Sequence, residues 1–211
     1  LADAMDLDLP AADVDVLEAR TEGWIAALQL AALSMHGRAD PSSFVADFAG
    51  DDRFILDYLA DEVLDRQTTE IRGFLLDTSI LGRLTGPLCA AVTGISDSRA
   101  TLEELDRSNL FLVPLDDRRT WYRYHHLFAD VIGARLLDER PDRVPELHRR
   151  ASDWYAANGE PQEAVTHALA AGDLDRAAEL IELMAPAMQR ERQEAQLRTW
   201  LEALPSELFT D

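Results

Sequence analysis

The chain has 211 residues, 47% of them hydrophobic, which is enough apolar material for one large domain or two small ones. Its 40 acidic residues against 20 basic ones leave a formal charge of −20, which opposes contact with nucleic acid or an anionic membrane surface. The single cysteine, Cys89, excludes an internal disulfide and any multi-cysteine zinc site, and no apolar run approaches the ~18 residues that a membrane span requires.

No secretion signal opens the sequence, which starts at Leu1 in mid-pattern. The expectation is a cytoplasmic piece of a longer protein. "PAADVDVLEAR" predicts a short helix, and Thr21 is placed to cap the next one, "EGWIAALQLAALSM", with Trp24, Leu28, Ala31 and Met35 on one face. Pro41 and Ser42 start a helix that runs through Phe48. Asp51 or Asp52 can cap "RFILDYLADEVLDRQ", and Thr68 or Thr69 can cap "EIRGFLLDTS". "PLCAAVTG" predicts a helix begun by Pro87 and ended by Gly94, and Ser98 opens "RATLEELDRSN".

Past Asn109 the period changes. "LFLVPL" and "TWYRY" alternate like strands around the polar turn "DDRR". That hairpin delivers the backbone to His125, His126 and a helix, "HLFADVIGARLLDE". Helices, one hairpin and a flanking helix make up a winged-helix domain, assigned here to residues 51–140. From 141 to 211 the pattern is one of short amphipathic helices ended by Gly159 and Gly172, with Ala164, Ala168, Ala177 and Ala178 where helices would need to approach closely. The predicted fold is therefore mainly α: the end of a helical segment over 1–50, a winged helix with one β-hairpin, then tetratricopeptide-like helical hairpins.

Sequence spacing argues against chemistry in this segment. His125 and His126 are adjacent, so on a helix they point ~100° apart and do not share a face as an i, i+4 ligand pair does. His36, His148 and His167 lie far away with no ligand spacing, so no metal site is expected. Cys89 sits in an apolar run where a reactive thiolate is disfavoured, and no nucleophile and base can be paired; no enzyme activity is expected. The helix that would read DNA in a winged helix, "SRATLEELDRSN", carries Arg99 and Arg107 but also Glu103, Glu104 and Asp106, the wrong balance for phosphate.

Several stretches together resemble the MalT-like, large ATP-binding LuxR-type regulators, a branch of the signal-transduction ATPases with numerous domains. They are "TEGWIAALQLAALS", "FLLDTSILGRLTGPLCAAVTG", "LEELDRSNLFLVPLDDRRTWYRYHHLF", "LHRRASDWYAANGEPQEAVTHALAAGD" and "LRTWLEALP". The resemblance implies a parent with an upstream ATP-binding domain, this winged helix, a helical-repeat sensor and a C-terminal DNA-binding helix-turn-helix. The chain has no G-x-x-x-x-G-K-[ST] phosphate loop, so ATP or ADP is expected in the parent and none on this segment. Its expected partners are its own nucleotide-binding domain, an inducer or regulatory protein through the repeats, and DNA only through the C-terminal domain.

In related signalling ATPases a Met-His-Asp motif closes the winged helix onto bound nucleotide, its histidine donating to the β-phosphate of ADP. "YHHL" falls in the corresponding place, so the resemblance assigns His125 as the ADP contact in the parent. His126 stands where the aspartate would be, and this removes that motif's acidic partner. The function so implied is regulation of an ATP-dependent transcriptional activator. The alternatives are the same module attached to a Ser/Thr protein kinase, or a free-standing helical scaffold.

Overall fold

The computed structural model describes residues 10–21, 28, 35, 42, 45, 64, 67–107, 112–190 and 194–205. Among the described residues the fold is mainly α with one two-stranded antiparallel sheet, as the periodicity predicts. The chain divides into two compact units: residues 1–83 with 103–135, and residues 84–102 with 136–211.

In the first unit, α1 covers Ala11–Thr21, with the Pro10 carbonyl accepting the first helical N–H bonds. Thr21 is the last residue of α1, and the start of the helix that the sequence has it cap lies outside the described residues. The preceding Val-Leu-Glu-Ala-Arg run favours helix up to that point. Of the stretch after it, Leu28, Met35, Ser42 and Val45 are helical, Met35, Val45 and Leu64 are buried, and Ser42 Oγ donates to Asp13 at 2.6 Å. Trp24, Ala31 and the expected caps Asp51 and Asp52 lie outside the described residues.

Helix α2 (Thr69–Thr78) starts where the sequence places it: the Thr68 hydroxyl accepts the Ile71 N–H at 3.3 Å. Its last five residues, Phe74 to Thr78, are all buried. A helix buried on every side at one end must be enclosed by other elements. The hairpin β1 (Leu112–Pro114) and β2 (Tyr122–Tyr124) pairs Leu112 with Tyr124, Val113 with Arg123 and Pro114 with Tyr122. Period-2 alternation buries Tyr122 and Tyr124 and leaves Arg123 half-buried. The turn is held by Asp116, whose side chain accepts the Thr120 N–H at 2.8 Å, and Arg119 takes a left-handed φ of 51° there. The helix that follows, α5, covers His126–Glu139.

In the second unit, α3 (Gly86–Thr93) has Pro87 in its first turn and ends at Gly94, whose φ of 79° suits a residue without Cβ. Helix α4 covers Ser98–Arg107. Ser98 opens it, as the sequence predicts, being its first helical residue, and donates back to the Ile95 carbonyl. The Asp97 carbonyl accepts from Thr101, so the cap lies one residue earlier. The start of α3 and the start of α4 nearly touch: a Cβ on Gly86 would lie 2.8 Å from Arg99 Cβ.

Beyond α5 and a turn of 3-10 helix (Pro141–Arg143), four helices follow: α6 (Val144–Ala157), α7 (Pro161–Ala170), α8 (Leu174–Arg190) and α9 (Glu194–Glu202). Each packs on the next, and α3 packs on α6. The joint between α7 and α8 has left-handed Gly172 (φ 69°), with Gly172 and Asp173 N–H groups bonding back to the Leu169 and Ala168 carbonyls. Asp173 then caps α8 by accepting the Arg176 N–H. Ala164, Ala168 and Ala177 are fully buried, as the small-residue pattern predicts, and Ala178 is half-buried. Helix α8 runs on through Pro186.

Replacing Gly86 with Ala forces backbone and Cβ atoms of two helices apart. We expect a loss of about 1–3 kcal/mol, seen as a lower urea midpoint at unchanged m-value. A midpoint equal to that of the parent chain would show that the helices part without cost.

Candidate functional site

The strand β2 and helix α5 meet at His125. Its carbonyl accepts the Ala129 N–H at 2.9 Å, which makes it the N-cap of α5. The free N–H groups of the first turn and the positive end of the helix dipole therefore lie beside it. His125 and His126 are both half-buried. One residue earlier, Tyr124 is 3% exposed and its hydroxyl shares a 2.7 Å hydrogen bond with Thr78 Oγ1, at the end of α2. Thr78 Oγ1 also donates to the Phe74 carbonyl within the helix, so in the Thr78–Tyr124 pair the tyrosine is the donor when that bond is made. The Tyr124 ring meets Phe128 edge-on at 5.8 Å. Strand end, helix start and α2 are thus tied at the residue preceding His125.

Around this point three arginines are engaged. Arg83 lies over the Trp121 ring, 4.7 Å from its centroid, and Arg123 donates to the Tyr124 carbonyl at 3.1 Å. Arg119 pairs with Asp106 of α4 at 2.7 Å. Glu103, Glu104, Arg99 and Arg107 of α4 are exposed, so that helix presents an acidic and mixed surface.

One constellation was not visible in the sequence. His148 on α6 and His167 on α7 have no ligand spacing, yet the helical hairpin sets their Nδ1 atoms 2.8 Å apart. His167 is 5% exposed and stacks on Tyr155 at 5.4 Å and 17°. Burial pushes both imidazoles below the ordinary histidine range, His167 to about 4 with the help of the charge on His148. The only sequence cue was their matching position on the inner faces of two adjacent amphipathic helices. Among the described residues no group of three or more metal-ligating side chains gathers. Cys89 is fully buried and its thiol is pushed up to about 12 by burial, so the packing role expected for it is the one it has. Tyr155 is buried between helices, and Trp154 meets it edge-on. A further open hollow of about 470 Å³ lies at the α7–α8 joint, lined by Arg149, Gly172, Asp173, Asp175 and Pro205. Among the described residues no helix is long and apolar enough to cross a membrane.

A short two-stranded wing followed by a helix is the geometry of a winged helix. The family of the MalT winged helix domain matches residues 60–144. The chain is 47% identical over 182 residues to the serine/threonine-protein kinase PknK of Mycobacterium tuberculosis H37Rv, covering 86% of this chain and 16% of that protein. It is 42% identical over 153 residues to the HTH-type transcriptional regulator MalT of Klebsiella pneumoniae MGH 78578, covering 72% and 17%. With the MalT regulator of Yersinia pestis Pestoides F the identity is 37% over 190 residues, covering 89% and 21%. Residues 60–144 thus match a MalT-type winged-helix domain, and most of the chain is similar to one segment of these longer proteins. It spans between 16% and 21% of the length of these relatives.

Two substitutions test the tie behind His125. Thr78→Val removes the Thr78 oxygen that the buried Tyr124 hydroxyl bonds, and Tyr124→Phe removes one of the two bonds of the Thr78 hydroxyl; each should cost about 1–3 kcal/mol. The double variant should cost less than their sum in a denaturation cycle. Strict additivity would mean that the two hydroxyls do not stabilise each other. The thiol gives a second check: Cys89 in the native chain should react with an aromatic disulfide reagent at pH 8 at least a hundredfold more slowly than in the unfolded chain. Equal rates would place the thiol at the surface.

Proposed function

We propose that this chain is the regulatory segment of a larger nucleotide-dependent switch, in which His125 contacts a phosphate of ADP and holds the winged helix closed. The observation that carries the reading is the placement of His125 as N-cap of a 14-residue helix. An imidazole there can donate one N–H to an anion that also meets the backbone N–H groups and the helix dipole. The Thr78–Tyr124 bond and the Phe128 contact support this by fixing the strand end from which His125 emerges. ADP would hold the closed form; ATP and an inducer acting on the helical repeats would favour an open, self-associating one.

The segment itself is read as non-enzymatic, and as cytoplasmic. Its buried Cys89 offers no reactive thiolate, and the acidic surface of α4 argues that DNA is bound by another domain of the parent. The repeats from α6 onward, in a tetratricopeptide-like arrangement, would begin the surface that meets an inducer or partner protein.

For the output of the switch, relationship to MalT regulators supports transcriptional activation at promoters. A specific observation favours a second reading, control of a Ser/Thr protein kinase: the 47% identity to PknK exceeds that to either MalT sequence. In both readings the segment performs the same nucleotide-dependent clamping.

In a full-length regulator carrying this segment, His125→Ala removes one hydrogen bond to a charged group, worth about 1.5–3 kcal/mol. ADP dissociation should speed up roughly 10- to 100-fold and basal output should rise. Unchanged ADP retention and unchanged basal output would overturn the clamp.

A further inference from the structure

The His148–His167 contact has no part in the nucleotide reading. Two imidazoles meeting nitrogen to nitrogen at 2.8 Å can be hydrogen-bonded only if one Nδ1 carries a proton and the other does not. The pair therefore consists of two different tautomers. A first added proton can go to the remote Nε2 of the donor ring and leave the bond in place. A second must go to the accepting Nδ1, which ends the bond and leaves two adjacent cations, one of them buried.

We propose that this contact is a proton-operated latch between α6 and α7, closed at neutral pH and released on acidification. The surroundings decide the direction. His167 is 5% exposed and lies between His148 and the ring of Tyr155, with centroid distances of 5.0 and 5.4 Å. The Tyr155 face would favour an imidazolium, but burial is the largest influence on both rings, and no carboxylate figures among the groups acting on either.

Apart from Glu160, the charged side chains described on the packed elements are engaged elsewhere or exposed. On α6, Glu146 is held by Arg149 and Arg150, and Arg150 also donates to the Val92 carbonyl of α3. Arg149 also approaches Asp173, while Arg176 of α8 approaches Asp153 and pairs with Glu179. Glu163 of α7, Asp175 of α8, and Asp142 and Arg143 of the preceding turn are exposed; Glu160 is half-buried at the α7 N-cap. Helix α3 carries no charged side chain. Among the described residues, no anion thus stands ready to receive a second proton's charge.

In the unfolded chain both histidines take up protons near their ordinary value of ~6.5. In the fold both do so at lower pH, His167 at about 4. Closure is therefore fully favoured above ~6.5 and weakens as pH falls towards about 4. A second bond across the same interface, Ser152 Oγ to the Ala164 carbonyl at 2.8 Å, does not titrate, so the latch acts on one end of the α6–α7 seam. Because α3 packs on α6, loosening α6 would reach the winged-helix residues in the same unit.

The test uses the 211-residue chain labelled with nitrogen-15. At pH 7, ring-nitrogen spectra should show one of the two histidines as the Nδ1–H tautomer and the other as Nε2–H, with both rings titrating below the ordinary histidine value. Between pH 6 and 4, amide protection in α6 and α7, corrected for intrinsic exchange, should fall at least tenfold further than at Phe74–Leu76 of α2. The variant His148→Phe, which keeps a ring but has no Nδ1, should lose that excess pH dependence. Two Nε2–H tautomers, titration of both rings near 6.5, or parallel protection in α2 and the α6–α7 hairpin would each overturn the latch. The wild-type spectra decide the matter even if the variant does not fold.

Discussion

One buried hydrogen bond organises the region from which a function is inferred. Thr78 and Tyr124 are 46 residues apart in sequence, and their hydroxyls meet at 2.7 Å with both residues buried. Neither group can be left in an apolar interior without a partner at low cost. The end of α2, the end of β2 and the start of α5 are thereby held to one arrangement. His125, as the residue after Tyr124 and the cap of α5, inherits its position from that bond and from the strand alternation that turns Tyr122 and Tyr124 inward. A short hairpin alone is a weak element, since two strands with no third rarely stand in water. Here its inward tyrosines supply what a third strand would.

The same economy appears in the second unit, where shape and not polarity sets the geometry. Gly86 lets α3 and α4 come within a distance that any side chain would forbid, and alanines at 164, 168 and 177 do the same for the α6–α8 array. Close approach shortens the reach between facing side chains. That is why two ordinary histidines, one on each of two adjacent helices, end in direct contact.

Local signals in the sequence were strong where they rest on backbone chemistry. The Thr68 cap, the Pro87–Gly94 bracket around α3, the glycine stops at 159 and 172 and the full extent of α5 all follow from which residues tolerate a cap, a first turn or a positive φ. A hydroxyl side chain can cap a helix or lie within it, and at Ser98 it does the latter: Ser98 is the first helical residue of α4, with Asp97 as the cap. The Thr78–Tyr124 and His148–His167 pairs were not legible, because each depends on how two separate elements align. Helical period gave the face that each residue occupies but not the partner across it. His125 was placed correctly as the junction between strand and helix; its chemical role rests on resemblance.

Arg150 gives one further consequence. It reaches from the middle of α6 to the Val92 carbonyl in the last turn of α3, at 3.2 Å, while its other side faces Glu146. A carbonyl near a helix end has lost its own intrahelical donor, so a cation is the natural substitute. The bond makes the first helix beyond the winged helix a splint for α3, with no slack linker between them in that unit. A shift of α6 would therefore pull directly on the last turn of α3.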